Sequence, residues 1–198
     1  MVDKTEIFNA VCIKLGVARV SGPDAQSEPA RVINEVYSRV CRRTLRSHVW
    51  SFAKESVSLP ALATAPLFGF TYAFQLPSNF LRLVQFGDAY VFDSVRGATG
   101  GPGDLYTIEG RTILTDVAAP LHIVQLKDVS ETPSEFDAMF PDVLACDIAL
   151  EVASSLTKKD TTDIERQRKR HINEAKRVNA IELPPRNIED GSWVTVRY

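Results

Sequence analysis

The sequence predicts an α+β fold: an antiparallel helical bundle of about four helices, an inserted small antiparallel β module, and an extended C-terminal tail. Three observations carry this. Apolar residues recur at three- and four-residue spacing through residues 3–53 and again through 134–182. Between them, prolines at 60, 66 and 77 and glycines at 69, 87, 97, 100, 101, 103 and 110 cut residues 54–133 into short runs rich in β-branched and aromatic side chains. After Pro184-Pro185 no helical pattern resumes, leaving 183–198 as the tail. Helices grouped around a β segment, instead of alternating with strands, separate α+β from α/β. With 198 residues and 44% hydrophobic content, one domain with its own core is expected, without disulfide or metal staples.

The first helix can be capped by Asp3 or Thr5, shows an apolar stripe of Ile7, Val11 and Leu15 with Ala10 and Ile13 near it, and stops at Gly16. Ser21-Gly22-Pro23-Asp24 is turn chemistry. Ser27 caps a second helix with Pro29 in its first turn, where a missing N–H costs little. Val32, Ile33, Val36, Tyr37, Val40, Cys41 and Leu45 form its apolar face, and Arg31, Arg39, Arg42, Arg43 and Arg46 its outer face. Strand-like runs follow at 70–75, 81–86, 90–94, 105–108, 112–115 and 121–129, with Glu109-Gly110 marking a tight hairpin. In the last run Leu121, Ile123, Gln125 and Lys127 alternate with His122, Val124, Leu126 and Asp128, so no single apolar face stands out. Residues 95–104 form a glycine-rich loop expected to be mobile. Ser134 caps a turn holding Phe136 and Phe140, and Pro141 opens a strongly apolar third helix with Val143, Leu144, Ile148, Val152 and Leu156. Lys158-Lys159-Asp160 breaks the chain, with Asp160 or Thr161 as the next cap. The fourth helix, about 162–181, is mostly polar, with a thin seam of Ile164, Ile172, Ala175 and Val178.

The charge balance of 23 basic against 25 acidic residues, net −2, excludes the footprint of a general nucleic-acid binder, and near-neutrality suits a chain that assembles. Cys12, Cys41 and Cys146 have no CxxC spacing and read as small buried hydrophobes in a reducing compartment. The first residues lack a basic stretch followed by an apolar core, and no apolar run approaches the roughly 20 residues of a membrane span. Synthesis in a cytoplasm and no membrane partner are expected.

No catalytic motif emerges. His48, His122 and His171 have no metal-ligand spacing, Gly97-Ala98-Thr99-Gly100-Gly101-Pro102-Gly103 lacks the lysine and helix of a phosphate loop, and no GxSxG occurs. Glu131, Glu135, Asp137, Asp142 and Asp147 gather around the start of the third helix, where acidic residues complement the helix dipole. The expectation is a non-enzyme without metal or cofactor. Two basic stretches, Arg42-Arg43-Thr44-Leu45-Arg46 and Arg166-Gln167-Arg168-Lys169-Arg170, read as solvated or interfacial faces. As an alternative they make a DNA-binding module that touches backbone phosphate only. Trp193, Val196, Arg197 and Tyr198 are costly to leave in water and read as an anchor, either on the chain's own β module or on a partner.

Several of these pieces occur in an order that resembles a known family. Leu45-Arg46-Ser47-His48-Val49-Trp50-Ser51-Phe52-Ala53 closes the second helix; Leu15-Gly16-Val17-Ala18-Arg19-Val20 lies upstream. Phe74-Gln75-Leu76-Pro77-Ser78-Asn79-Phe80-Leu81-Arg82, Glu109-Gly110-Arg111-Thr112-Ile113-Leu114-Thr115 and the Trp193-to-Tyr198 ending follow. The chain resembles the tail tubular protein A family, head-to-tail adaptors of short-tailed bacteriophages and prophages, from about residue 5 to residue 198. The resemblance implies a virion protein that forms a ring, usually dodecameric, between the portal protein and the tail nozzle protein, with DNA passing through it unread. It implies a helical ring body, a β module that projects to neighbours or to the tail, and a portal-docking segment over 184–198, anchored by Trp193, Val196, Arg197 and Tyr198. Ring contacts of this kind are heterologous, so each copy must present two different faces. Arg39, Arg42, Arg43, Arg166, Arg168 and Arg170 are the candidate inter-subunit residues.

Overall fold

A computed structural model describes residues 2–87, 89–90, 105–157 and 160–182. The helices are α1 (Lys4–Leu15), α2 (Glu28–Arg46), α3 (Phe140–Leu156) and α4 (Thr162–Ile181). The strands are β1 (Lys54–Leu59), β2 (Tyr72–Gln75), β3 (Phe80–Phe86), β4 (Ala89–Tyr90), β5 (Tyr106–Glu109), β6 (Thr112–Thr115) and β7 (Leu121–Lys127). Helices flank the strands in sequence, so the fold is α+β.

α3 is the centre of the helical part and packs against α1, α2 and α4. It is buried nearly all round, through Val143, Leu144, Cys146, Ile148 and Val152 and the small residues Ala145, Ala149 and Ala153, as expected of a helix apolar on every side. Ile7, Phe8, Val11 and Leu15 of α1 and Ile33, Tyr37, Val40, Cys41 and Leu45 of α2 close over it. Ile13 does not join the α1 stripe; it is exposed, being two residues out of phase with Val11 and Leu15. α4 contributes little apolar surface, through Ile164 and Ala175 with Ile172 partly covered, in keeping with its thin seam.

Helix ends follow local chemistry with some corrections. Gly16 ends α1 in the left-handed conformation at φ 69°, and its N–H closes the last turn. Asp3 and Ser27 occupy the N-cap positions of α1 and α2, yet neither side chain bonds a helix N–H. Ser134 lies inside a short 3-10 turn, Pro133–Glu135, and does not cap it. Asp160 does the work at α4: its Oδ1 accepts from the Thr162 N–H at 3.1 Å and from the Thr162 hydroxyl at 2.8 Å.

The β segment, expected as a small antiparallel module, consists of two antiparallel sheets. β1, β7, β3 and β4 make a four-stranded sheet in that order, and β2, β6 and β5 a three-stranded one. β1 was not among the predicted runs. Ser56 and Ser58 disguise it, because both are exposed where an alternating strand would be expected to show one clearly apolar run. The run at 70–75 begins as strand only at Tyr72, the run at 121–129 ends at Lys127, and of 90–94 only Tyr90 lies within the described residues. The hairpin at 109–110 is present, its two turn residues being Gly110 and Arg111 between the pairs Glu109↔Thr112 and Ile108↔Ile113.

The ambiguous alternation of β7 has a physical cause: both its faces are covered. Leu121 and Ile123 enter a second core with Leu59, Leu83, Phe86, Phe74, Leu76 and Ile113, sandwiched between the two sheets. Leu126, and partly Val124, face the helical core together with Val84 of β3. The register shift in β3 between Leu83 and Gln85 lets Leu83 and Phe86, three positions apart, both face the inter-sheet core. The loop at 95–104, the lysines at 158–159 and the tail at 183–198 lie outside the described residues.

Candidate functional site

Five of the six candidate arginines have partners within their own chain. Arg39 and Arg43, one turn apart on α2, both reach Glu151 of α3, at 2.8 and 3.1 Å. Arg42 pairs with Asp128 just after β7, at 2.6 Å. Arg168 of α4 binds Asp147 of α3, whose other oxygen accepts the Thr44 hydroxyl of α2 at 2.7 Å. Arg166 pairs with Asp163 one turn back at 3.2 Å, both largely exposed. Arg170 makes no ion pair among the described residues; it lines a shallow surface groove of about 340 Å³ with Asp163, Arg166 and Gln167. Arg39 and Arg43 of α2 and Arg168 of α4 thus converge on α3, at Glu151 and, one turn earlier, at Asp147, while Arg42 reaches the residue just after β7.

These pairs are not equal. Arg39, Arg42 and Arg43 keep more than half of their side-chain surface in water, so each pair is worth about 0–1 kcal/mol. Asp147 is buried, and its carboxylate joins three helices through Thr44 and Arg168. Hydrogen bonds from Arg39 and then Arg43 hold the Glu151 carboxyl below the usual glutamate range. Burial opposes the charge on Asp128, but hydrogen bonds from Ser130 and Arg42 outweigh it and leave the carboxyl below its usual range.

The acidic cluster ahead of α3 is structural in the same sense. Glu131 accepts from Lys4 at 2.6 Å and from the Ser38 hydroxyl at 2.9 Å, tying α1 and α2 to the β7–α3 link. Glu135 accepts from Lys127 and Thr132, and Asp137 accepts from the Met139 N–H at 3.2 Å. Among the described residues no group of His, Cys, Asp or Glu is placed to hold a metal ion. No described helix is long and apolar enough to cross a membrane. All three cysteines are free and buried, and burial pushes the Cys41 thiol up to about 12.

The stretch Leu45-to-Ala53 forms the joint between the helical core and β1. Leu45, Trp50 and Ala53 are buried, and the Trp50 indole N–H donates to the Thr44 carbonyl at 3.2 Å. Trp50 and Phe52 both contact the Phe140 ring edge-on, at 5.2 and 5.1 Å, and Phe52 also meets Phe136. Asn179, near the end of α4, fixes the joint from outside. Its Oδ1 accepts from the Ser51 N–H at 2.7 Å, and its Nδ2 donates to the Val49 carbonyl at 2.9 Å and lies 3.2 Å from His48 Nε2. Burial, then Lys176 and Arg82, keep the His48 pKa below its ordinary value. Asn179 escaped sequence reasoning because a polar residue on a polar helix carries no signal of its own.

Phe74-to-Arg82 performs the matching task between the sheets. Asn79 Nδ2 donates to Glu55 at 3.2 Å, and its carbonyl accepts the Asp128 N–H at 2.7 Å. Gln125 of β7, fully buried, donates to Glu55 of β1 at 2.8 Å and to Asn79 at 3.2 Å, so two strands and the turn that leads into β3 share one polar link. Arg82 Nη1 donates to the Arg46 carbonyl at 2.9 Å, a cation at the C-terminus of α2 where the helix dipole favours it.

A second surface was not singled out from sequence. Leu67 and Phe68, in the connection between β1 and β2, are 98% and 82% exposed. The signal was present as a long stretch without any charged residue, from Ser56 to Leu81. Trp193, Val196, Arg197 and Tyr198 lie outside the described residues. In comparison with known proteins, the chain matches no family model, and no curated protein matches it.

Proposed function

We propose that this chain is a structural virion subunit, a head-to-tail adaptor of the tail tubular protein A type. Copies form a ring between portal and tail nozzle, with DNA passing through the opening. The observation that carries the reading is the ordered set of motifs from Leu15-Gly16 to Trp193–Tyr198. The stretch around Trp50 joins the helical core to β1, and Arg82, at the end of another, reaches the last carbonyl of α2; these are connections that an adaptor with a helical body and a projecting β part requires. In this reading the four helices act as an antiparallel bundle that forms the ring body, and residues 183–198 dock on the portal. The α2 arginines and the exposed Arg166 and Arg170 supply contacts between copies.

The rival reading, a DNA-binding module, loses support from Glu151 and Asp128, whose carboxylates sit beside Arg39, Arg43 and Arg42 and repel phosphate. Negative-stain images of the purified protein, alone and mixed with portal, test the adaptor reading. Rings, or rings that appear only on portals, are the expected result. Salt-sensitive binding to free duplex DNA, with no association to portal, would overturn it in favour of the rival.

A further inference from the structure

Asn179 sits where the two ends of its amide cannot be exchanged. The Ser51 N–H only donates and the Val49 carbonyl only accepts, so Oδ1 faces Ser51, at 2.7 Å, and Nδ2 faces Val49, at 2.9 Å. Backbone chemistry thus fixes the amide. Nδ2 also lies 3.2 Å from Nε2 of His48, and an amide nitrogen has hydrogens to give but accepts none. Nε2 is therefore the acceptor, which leaves the proton of the neutral ring on Nδ1. Trp50, edge-on at a ring separation of 5.0 Å, helps to keep the imidazole in place.

The position on α4 gives this contact its weight. Ala175 is the last described residue in the helical core, and Ile181 is 78% exposed. Beyond Ala175 it is Asn179, itself buried, that bonds across to residues 48–51, which lead from α2 into β1.

We propose that His48 and Asn179 form a proton-operated latch: neutral His48 holds the last turn of α4 on the α2–β1 joint, and protonated His48 releases it. A proton on Nε2 sets two donors against each other. Asn179 has no way to answer by turning its amide. That would aim its oxygen at the Val49 carbonyl and its nitrogen at the Ser51 N–H. The surroundings sharpen the conflict. The charges acting on His48 are Lys176 from α4 and Arg82 from β3, both cations, and Arg46 at the end of α2 adds to the positive charge around Arg82. Among the described residues no carboxylate acts on the ring. Burial, then these cations, hold the His48 pKa below its ordinary 6.5. The latch is therefore closed above pH 6.5 and opens as the pH falls through the folded value. It needs neither a second copy nor a portal, so it stands or falls apart from the ring reading.

Nuclear magnetic resonance on the 15N-labelled full chain tests the latch, with His48 assigned by comparison with His48→Gln. At about pH 7.5, long-range proton–nitrogen correlations should show the Nδ1–H tautomer. Amide hydrogen exchange, corrected for its intrinsic dependence on pH, is then followed down through the His48 titration. Protection at Ser51 and over 176–182 should fall at least tenfold while the amides of α3 keep theirs. In His48→Gln, whose amide oxygen accepts at any pH, that fall should disappear. Asn179→Asp, which gives the imidazolium a carboxylate partner, should raise the His48 pKa above 6.5. An Nε2–H tautomer at about pH 7.5, or unchanged protection at Ser51, would overturn the latch. So would a fall that persists in His48→Gln, a loss of α3 protection in step with Ser51, or an unmoved His48 pKa in folded Asn179→Asp.

Discussion

Individual side chains matter most where a buried polar group joins distant elements. Asn179 satisfies the Ser51 N–H and the Val49 carbonyl, so Asn179→Ala leaves both without partners and should cost about 2–3 kcal/mol. The check is a lower urea midpoint with an unchanged denaturant slope. Asp147→Ala leaves Arg168 without its carboxylate and Thr44 with only the Val40 carbonyl, and should cost about 1–3 kcal/mol, whereas Arg39→Ala, at a water-exposed pair, should cost under about 1 kcal/mol. His48 adds a pH dependence. Its folded pKa lies below the ordinary 6.5, so the unfolded chain binds more protons. The stability it contributes is present above pH 6.5 and is lost as the pH falls through the folded value. Glu131, Glu135 and Glu151, held below 4.5 chiefly by hydrogen bonds from Lys4, Lys127 and Arg39, add a second loss in the same direction at lower pH. Urea midpoints should thus fall in two stages on acidification, and His48→Gln should abolish the first.

Elements show which boundaries local chemistry sets. α4 spans Thr162–Ile181 and β6 spans Thr112–Thr115, matching the predicted segments, because a capping Asp160 and the Gly110 turn act within a few residues. Gly110 sits at φ 57° and a Cβ there would meet nothing, so the cost of Gly110→Ala is conformational alone. It should destabilise by about 1–2 kcal/mol, read as a shift in thermal midpoint, with Gly110→Asn losing less. β1 was illegible for the opposite reason. Its Ser56 and Ser58 face uncovered space while Val57 and Leu59 enter the inter-sheet core, and only the partner strand β7 shows which side is which. Ile13 lies outside the α1 stripe because two residues turn the helix by about 200°, so its exposure follows from spacing alone.

For the whole molecule, the charge balance of 23 against 25 is largely settled internally on α2, where Glu151 and Asp128 take three arginines. Reversing Arg39 and Arg43 together sets two new carboxylates against Glu151; the fold should survive with a lower melting temperature, and assembly onto portals should weaken if this face meets a neighbour. Removing residues 191–198 should leave the melting temperature unchanged and abolish portal docking, measured by co-sedimentation. Sequence alone determined the four helices, the 109–112 hairpin, the buried cysteines and the α+β class, because spacing, caps and turn residues act over a handful of positions. Tertiary structure decided the split into two sheets, the covering of both faces of β7, the partners of Arg39, Arg42, Arg43 and Arg168, and the exposure of Leu67 and Phe68 among the described residues. Those features join residues such as Arg39 and Glu151, 112 positions apart, and no local pattern records which distant side chain will arrive.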